Sequence, residues 1–367
     1  MFIDFTNKYL IILFCFVVLN IIFINFFPNF ATPFNSDSEQ YLESAEYFRG
    51  LEATAYPQRL LKPLMPFLVA VLSPVFGFSA PFLIVNSLFY LFIGFLVFKI
   101  IKLMFGDERQ TLVGSLFFVS AYPMLEYGIA FMTDMAGWFF FVWSVYLTLL
   151  FLKKPSPGLA VANGAVAAVG ALAKESGAMG AVFFGLCVLF VHKDILWNKV
   201  KFIAAFAVFF LALFLPWQIF IFSKFHYDYY RWFAFNWSAS SQSPYAKEFA
   251  LVSVKSLVAT FFFGWLFVLA GIIRWKNIAP ENKKIILALI PPSFAFFAHP
   301  AISSRLFYIV GLLLSILAGV GFMYLLNNFK KIYVYSLLAM VIAGNYFWFV
   351  FDDRLRTIVN AILKITY

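Results

Sequence analysis

Charge is scarce in this chain. Asp, Glu, Lys and Arg make up 12% of its 367 residues, whereas a soluble globular domain is about a quarter charged. Cysteine is scarcer: Cys15 and Cys187 are the only two, and both stand inside apolar runs, where they read as buried hydrophobes. Two such residues build neither a disulfide framework nor a cysteine-based zinc site. The alternation of apolar and polar residues that a membrane-spanning strand barrel requires is also missing. So are internal repeats, a Gly-rich phosphate loop, a soluble nucleotide domain and any nucleic-acid-binding module.

What remains is apolar. Hydrophobic residues account for 63% of the chain, and uncharged stretches recur throughout it. About 20 apolar residues suffice for one helical crossing of a bilayer. The composition therefore gives an all-α, polytopic membrane protein, folded as a single integral domain over residues 1–367. The first apolar run, 9–27, is too long for a signal-peptide core, and no small-residue cleavage site follows it. It reads as a retained first crossing.

Further crossings are expected at about 80–98, 111–128, 134–152, 158–173, 177–191, 202–222, 255–273, 285–298, 305–326 and 332–350, about 11 in all. Segment 63–98 carries no charge and has room for one crossing or two. The tendency of Lys and Arg to stay on the cytoplasmic side decides between them. With one crossing and a cytoplasmic N-terminus, the inner loops hold 15 basic and 5 acidic residues, and the outer segments hold 12 of each. Two crossings would place Lys153, Lys154, Lys330 and Lys331 outside. The net charge of +10 thus follows from topology and calls for no nucleic-acid partner.

The same scheme places a first external loop at 28–62, with an amphipathic helix inside it. An interfacial helix follows at 63–78, where Pro residues and Gly77 punctuate "KPLMPFLVAVLSPVFGFSAP". Residues 351–367 form an external tail with apolar positions at helical spacing, able to lie flat on the membrane.

Nearly every ionisable residue not accounted for by the inner loops then falls on the outer side. The group comprises Asp37, Glu39, Arg59, Lys62, Glu126, Asp134, Lys174, Glu175, His226, His299 and Arg305. Ionisable groups at membrane depth are costly and mark function, and acids with several bases on one face suit a sugar phosphate. Each residue also has a plainer role. In "NSDSEQYLESAEYF", Ser36 and Glu39 form a capping box and Asp37 favours the helix dipole. Tyr41, Ala45 and Phe48 make an apolar stripe, and Gly50 terminates the helix. Asp134 can cap the crossing it begins. Lys174 and Glu175 can pair with each other in a tight outer turn, or Lys174 can grip a phosphate as a point charge. Arg305 can anchor a helix at the interface, and His299 reads as a solvated loop residue. The aromatic loop 224–248 can stack on sugar rings or form a belt at the lipid–water boundary.

In order along the chain, these features resemble the C-type glycosyltransferase superfamily, which includes the protein O-mannosyltransferases and the transferase that adds aminoarabinose to lipid A. The matching pieces are the external acid-bearing helix "NSDSEQYLESAEYF", the helix "KPLMPFLVAVLSPVFG", "YPMLEYGIAFMTDMAGWFF" with its second acid, "GALAKESGAMG", and "SSRLFYIVGLLLSILAGVG". Ser176-Gly177 stands where the superfamily has Gly-Pro after the lysine. The resemblance implies a polyprenyl-phosphate-linked sugar as donor and a glycan, lipid or protein hydroxyl as acceptor. It further implies transfer at the outer face of a bacterial plasma membrane, with inversion. Asp37 would be the general base, Asp134 and Glu39 would position the acceptor or a divalent metal, and Arg59, Lys62, Lys174 and Arg305 would bind phosphate. Glu126, Glu175, His226 and His299 are secondary candidates. The metal stays undecided, since two carboxylates alone argue poorly for one. Three other readings remain open: a transporter, whether a flippase of lipid-linked glycans or a small-solute carrier; a ligase or polymerase of surface glycans; and a non-catalytic assembly protein of surface glycans.

Overall fold

The computed structural model describes residues 7–26, 36–52, 54–241, 249–298 and 308–362. His299, Arg305 and residues 242–248 of the aromatic outer loop 224–248 lie outside the described residues. Among those described, every regular element is a helix.

The N-terminal half begins with α1 (Lys8–Phe26), α2 (Ser36–Phe48), the single turn α3 (Pro57–Leu60), α4 (Leu64–Phe76) and α5 (Ser79–Phe105). Gly50, at φ 70°, stops the chain beyond α2. Gly77, also at φ 70°, separates α4 from α5. Both positions favour glycine because a side chain is strained in the left-handed region. Segment 63–98 therefore holds one short helix and one 27-residue helix, and only the second is long enough to cross.

After Gly106 come α6 (Glu108–Val119) and α7 (Tyr122–Tyr127), then α8 (Asp134–Lys153) and α9 (Pro157–Ala173). Asp107 caps α6 by accepting from Gln110 N at 2.8 Å, and Ser156 caps α9 by accepting from Leu159 N at 3.3 Å. Both are standard uses of short polar side chains at orphan amides. A 3-10 turn (Glu175–Ala178) leads into α10 (Met179–Leu186) and a π-helical turn (Cys187–Val191). The remaining helices are α11 (Leu196–Phe225), α12 (Tyr229–Ser241), α13 (Phe249–Phe261), α14 (Trp265–Ile273), α15 (Pro280–Ser293), α16 (Gly311–Asn328) and α17 (Lys331–Ile362).

Seven helical stretches among the described residues are long and apolar enough to span a bilayer, with shorter apolar helices at Leu64–Phe76, Pro157–Ala173 and Glu175–Val191. The difference from the expected eleven lies in short pieces. Segment 111–128 is split between α6 and α7, and α15 has only 14 residues. The centre of the bundle is the span Tyr308–Asn328, 83% buried, whereas Leu196–Phe225 is 11% buried and turns its apolar side chains outward. Lipid is the natural solvent for such a surface. Cys15 likewise sits exposed on α1 instead of buried as expected, because α1 is a peripheral helix, while Cys187 is buried.

The break between α6 and α7 leaves backbone carbonyls without helical partners, and in a bilayer these must be met internally. Side chains from three other helices meet them. Asn20 donates to Val119 O at 3.3 Å, Tyr90 donates to the same oxygen, and Asn345 donates to Ser120 O at 2.9 Å. Tyr346 donates in turn to Asn20 Oδ1. A second polar link joins α8 to α9, where Ser144 and Thr148 hydrogen-bond to the amide of Asn163. The helix α17 continues unbroken to Ile362, through most of the segment expected as a flat tail.

Candidate functional site

The site forms where α2, α3, the loop before α8 and the turn after α9 come together. In α2, residues 37, 40 and 41 share one face, as positions i, i+3 and i+4 do in any helix. Arg59, on α3, meets all three. Its Nη2 pairs with Asp37 Oδ1, its Nε donates to Gln40 Oε1 at 2.8 Å, and its guanidinium lies over the Tyr41 ring at 5.0 Å. Gln58 donates to the same Gln40 oxygen at 3.1 Å.

Between Arg59 and Lys62 stand Leu60 and Leu61, both fully buried against Ile221 and Trp232. Two side chains of α11 hold this turn by its backbone. Trp217 Nε1 donates to Leu60 O at 2.7 Å, and Gln218 Nε2 donates to Leu61 O at 3.2 Å. Burying the two leucines turns Arg59 toward α2 and sends the Lys62 side chain inward, where it is 3% exposed. The Lys62 ammonium pairs with Glu175 and lies 4.6 Å from the centre of the Trp232 ring. An aromatic face is a favourable neighbour for a desolvated cation.

On the other side, Asn86 of α5 donates to the carbonyls of Ala130 and Met132, at 2.5 and 3.1 Å, and so fixes the loop that enters α8. Thr133 occupies the cap position and Asp134 is the first residue of the helix. Asp134 is therefore not the N-cap expected from the sequence: the chain reaches helical geometry one residue earlier, and the carboxylate faces Lys174 at 3.4 Å. Lys174 and Glu175 do not pair with each other either. Lys174 is extended (φ −165°, ψ 151°), so consecutive side chains diverge, one to Asp134 and the other to Lys62. Glycine makes the close approach possible. A Cβ at Gly137 would collide with the Lys174 side chain and Ser176 Oγ, and one at Gly177 with the backbone of Gly170.

Tyr41 ties the halves together. It is 1% exposed, and its oxygen accepts from Thr133 Oγ1 at 3.2 Å. Burial pushes its phenol up, but the positive charges of Lys174, Lys62 and Arg59 together outweigh that and hold it below its ordinary value. Three cations from two segments, Arg59 and Lys62 around α3 and Lys174 after α9, thus act on one point. Three carboxylates, Asp37, Asp134 and Glu175, pair with them one to one. Exposure separates the acids: the Asp37 side chain is 26% exposed and that of Asp134 3%. Tyr229, partly buried beside Glu175 and Tyr41, has its phenol raised well above the ordinary range by desolvation, with the negative charge of Glu175 acting in the same direction.

Of the sequence candidates, Asp37, Arg59, Lys62, Asp134, Lys174 and Glu175 are brought together. Glu39 is exposed, on the same helix. Glu126 is half-buried on α7. His226 closes α11 in the left-handed conformation (φ 49°), exposed, with its ring against Phe222. Gln40, Tyr41, Thr133, Trp217 and Trp232 were not singled out as site residues by the sequence. The only signal for Tyr41 was its place in the stripe of α2. Among the described residues, no group of three His, Cys, Asp or Glu side chains could hold a metal ion.

Residues 59–220 match the family model described as dolichyl-phosphate-mannose-protein mannosyltransferase. This stretch contains Arg59, Lys62, Asp134, Lys174 and Glu175. No curated protein matches the chain. Among solved structures, ArnT from Cupriavidus metallidurans bound to undecaprenyl phosphate superposes with a TM-score of 0.65 at 17% identity, over 86% of this chain and 60% of ArnT. The Archaeoglobus fulgidus oligosaccharyltransferase in complex with zinc and sulfate gives 0.58 at 13% identity, over 93% of this chain and 52% of that one. The same organism's oligosaccharyltransferase AglB, in complex with an inhibitory peptide and a dolichol-phosphate, gives 0.56 at 13%, over 94% and 54%. The chain thus spans between about half and three fifths of the proteins it resembles. Its helices, their order and their packing are those of a multi-pass membrane protein with the C-type glycosyltransferase fold.

Proposed function

We propose that the protein transfers a sugar from a polyprenyl-phosphate donor to an acceptor hydroxyl, with Asp37 as general base. The observation that carries this reading is the convergence of Arg59, Lys62 and Lys174 on Tyr41, with a partly exposed carboxylate at the edge. A lipid phosphate entering the cluster exchanges for Glu175 and Asp134 as partner of the two lysines. Positive groups already in place favour the charge that develops on the leaving phosphate. The acceptor oxygen attacks the anomeric carbon as the bond from that carbon to the phosphate oxygen breaks. The acceptor proton passes to the Asp37 carboxylate, the bonding pair leaves with the polyprenyl phosphate, and one displacement inverts the anomeric centre. Arg59 holds Asp37 in place for this, and until the phosphate arrives buried Asp134 keeps Lys174 aimed into the cluster.

We place the reaction at the extracytoplasmic face of a bacterial plasma membrane, with the N-terminus in the cytoplasm. This rests on the one-sided excess of Lys and Arg in the loops at the opposite end. The residues present do not make a metal site among those described, and no step is assigned to a metal.

The test is Asp37→Asn in the purified full chain, reconstituted with a polyprenyl-phosphate-linked sugar and membrane-extract acceptors. Release of polyprenyl phosphate should fall by about 10²–10⁴-fold, while the variant elutes as a folded protein. Undiminished release would remove Asp37 from the mechanism.

A further inference from the structure

A second feature lies at the other end of α8. This helix starts at Asp134 in the charged cluster and ends at Lys153, about 30 Å away at 1.5 Å per residue. Where it ends, a cavity of about 370 Å³ opens between α8, the end of α5, the start of α15 and the residues that follow the π-helical turn. Its walls have two kinds of chemistry. The floor is apolar, made by Met104, Leu149, Leu152 and Ile285. The rim carries Lys153, Lys193 and Lys284 against the single acid Glu281, a balance of +2. Glu281 pairs with Lys193 at 2.9 Å, and both are exposed.

No residue of this cavity belongs to the charged cluster, and the transfer reaction as derived has no use for it. An inorganic anion would engage the rim and leave the apolar floor uncovered. A purely apolar ligand would leave the lysines unused. A phosphodiester joined to a glycerol and acyl chains meets both surfaces at once. The cavity also opens among the loops that hold all of the chain's excess positive charge, the side on which anionic lipids attract basic residues.

We propose that this cavity binds an anionic phospholipid of the adjacent leaflet, with its phosphate among Lys153, Lys193 and Lys284 and its glycerol and upper acyl carbons along the floor. The lipid wedges the ends of α5, α8 and α15 together, at the far end of the helix that carries Asp134.

The experiment measures the full chain in neutral detergent, following Tm and bound lipid by native mass spectrometry. Phosphatidylglycerol, phosphatidylcholine and inorganic phosphate are added separately. Phosphatidylglycerol should raise Tm and remain bound, and the other two should do neither. The double variant Lys153→Gln/Lys284→Gln should weaken phosphatidylglycerol binding about tenfold, and Glu281→Gln, which releases Lys193, should strengthen it. Lys330→Gln/Lys331→Gln removes equal charge from another basic loop and should leave binding unchanged. Equal weakening by both double variants would reduce the effect to diffuse attraction and overturn the proposal, and so would full competition by inorganic phosphate. Should Lys153→Gln/Lys284→Gln fold poorly, an unchanged affinity in Glu281→Gln overturns it alone. Either failure leaves the Asp37 test unaffected, because that test reads release of polyprenyl phosphate.

Discussion

Thr133 donates a hydrogen bond to the phenol oxygen of Tyr41 at 3.2 Å, across 92 positions of sequence. The bond joins the residue just before Asp134 to the helix that carries Asp37, so these two of the three acids of the cluster are held in register by a bond between hydroxyls.

That phenol gives a pH signature. Its folded value is lowered by Lys174, Lys62 and Arg59 acting against burial, so the ionised form is better accommodated in the folded protein than in the unfolded one. The contribution is absent below the lowered folded value, grows as pH rises through it, and is complete above the ordinary value near 10. Wild type should therefore gain stability relative to Tyr41→Phe as pH climbs toward 10, in denaturation series run in detergent. A constant difference across that range would show that the three cations do not act on Tyr41.

Lys174 and Asp134 form a nearly dry pair, 8% and 3% exposed. Lys174→Met leaves a buried carboxylate without its cation, a loss of about 3–5 kcal/mol. Adding Asp134→Leu should recover most of that stability but none of the transfer activity. Recovery of both by the double variant would show that the pair serves the fold alone.

Gly137 tests position without touching charge. Gly137→Ala puts a methyl group where the Lys174 side chain and Ser176 pass. A displacement on the order of 1 Å at a reacting group costs about 10²-fold in rate. Turnover should fall by that order, with the helix content in circular dichroism unchanged; full turnover would mean that the turn bearing Lys174 is free to shift.

Orientation is tested by labelling. With Cys15 and Cys187 replaced by Ala, Glu39→Cys should react with an impermeant maleimide in intact cells. Lys284→Cys should react only after permeabilisation. The reverse pattern would invert the proposed topology.

Much of this architecture is legible in the chain itself. The uncharged stretch 63–98 and its Pro and Gly residues mark one short helix followed by one long one, because helix length and left-handed glycine are local properties. The six charged residues of the cluster stand out for a similar reason: in so apolar a chain, an unexplained charge is conspicuous. Their partners are not local. Lys62 finds Glu175, and Arg59 finds Gln40 and Tyr41, only after α3 docks on α11, and nothing in "PQRLLK" announces that Trp217 and Gln218 will hold its carbonyls. Tyr41 reads as one more apolar position of an amphipathic helix, since periodicity registers the ring and not the hydroxyl. The break inside 111–128 is hidden for the same reason: its exposed carbonyls are tolerable only because Asn20, Tyr90 and Asn345 arrive from far along the chain.

That joint gives α17 a duty its composition does not suggest. Asn345 and Tyr346 act as the latch on a hinge whose other leaf is α1. Removing the two side chains would strand the carbonyl of Ser120 and loosen the grip of Asn20, and the strain would fall on α7 and the loop leading to Asp134. A helix that carries none of the charged residues of the cluster thereby sets how firmly the cluster is braced.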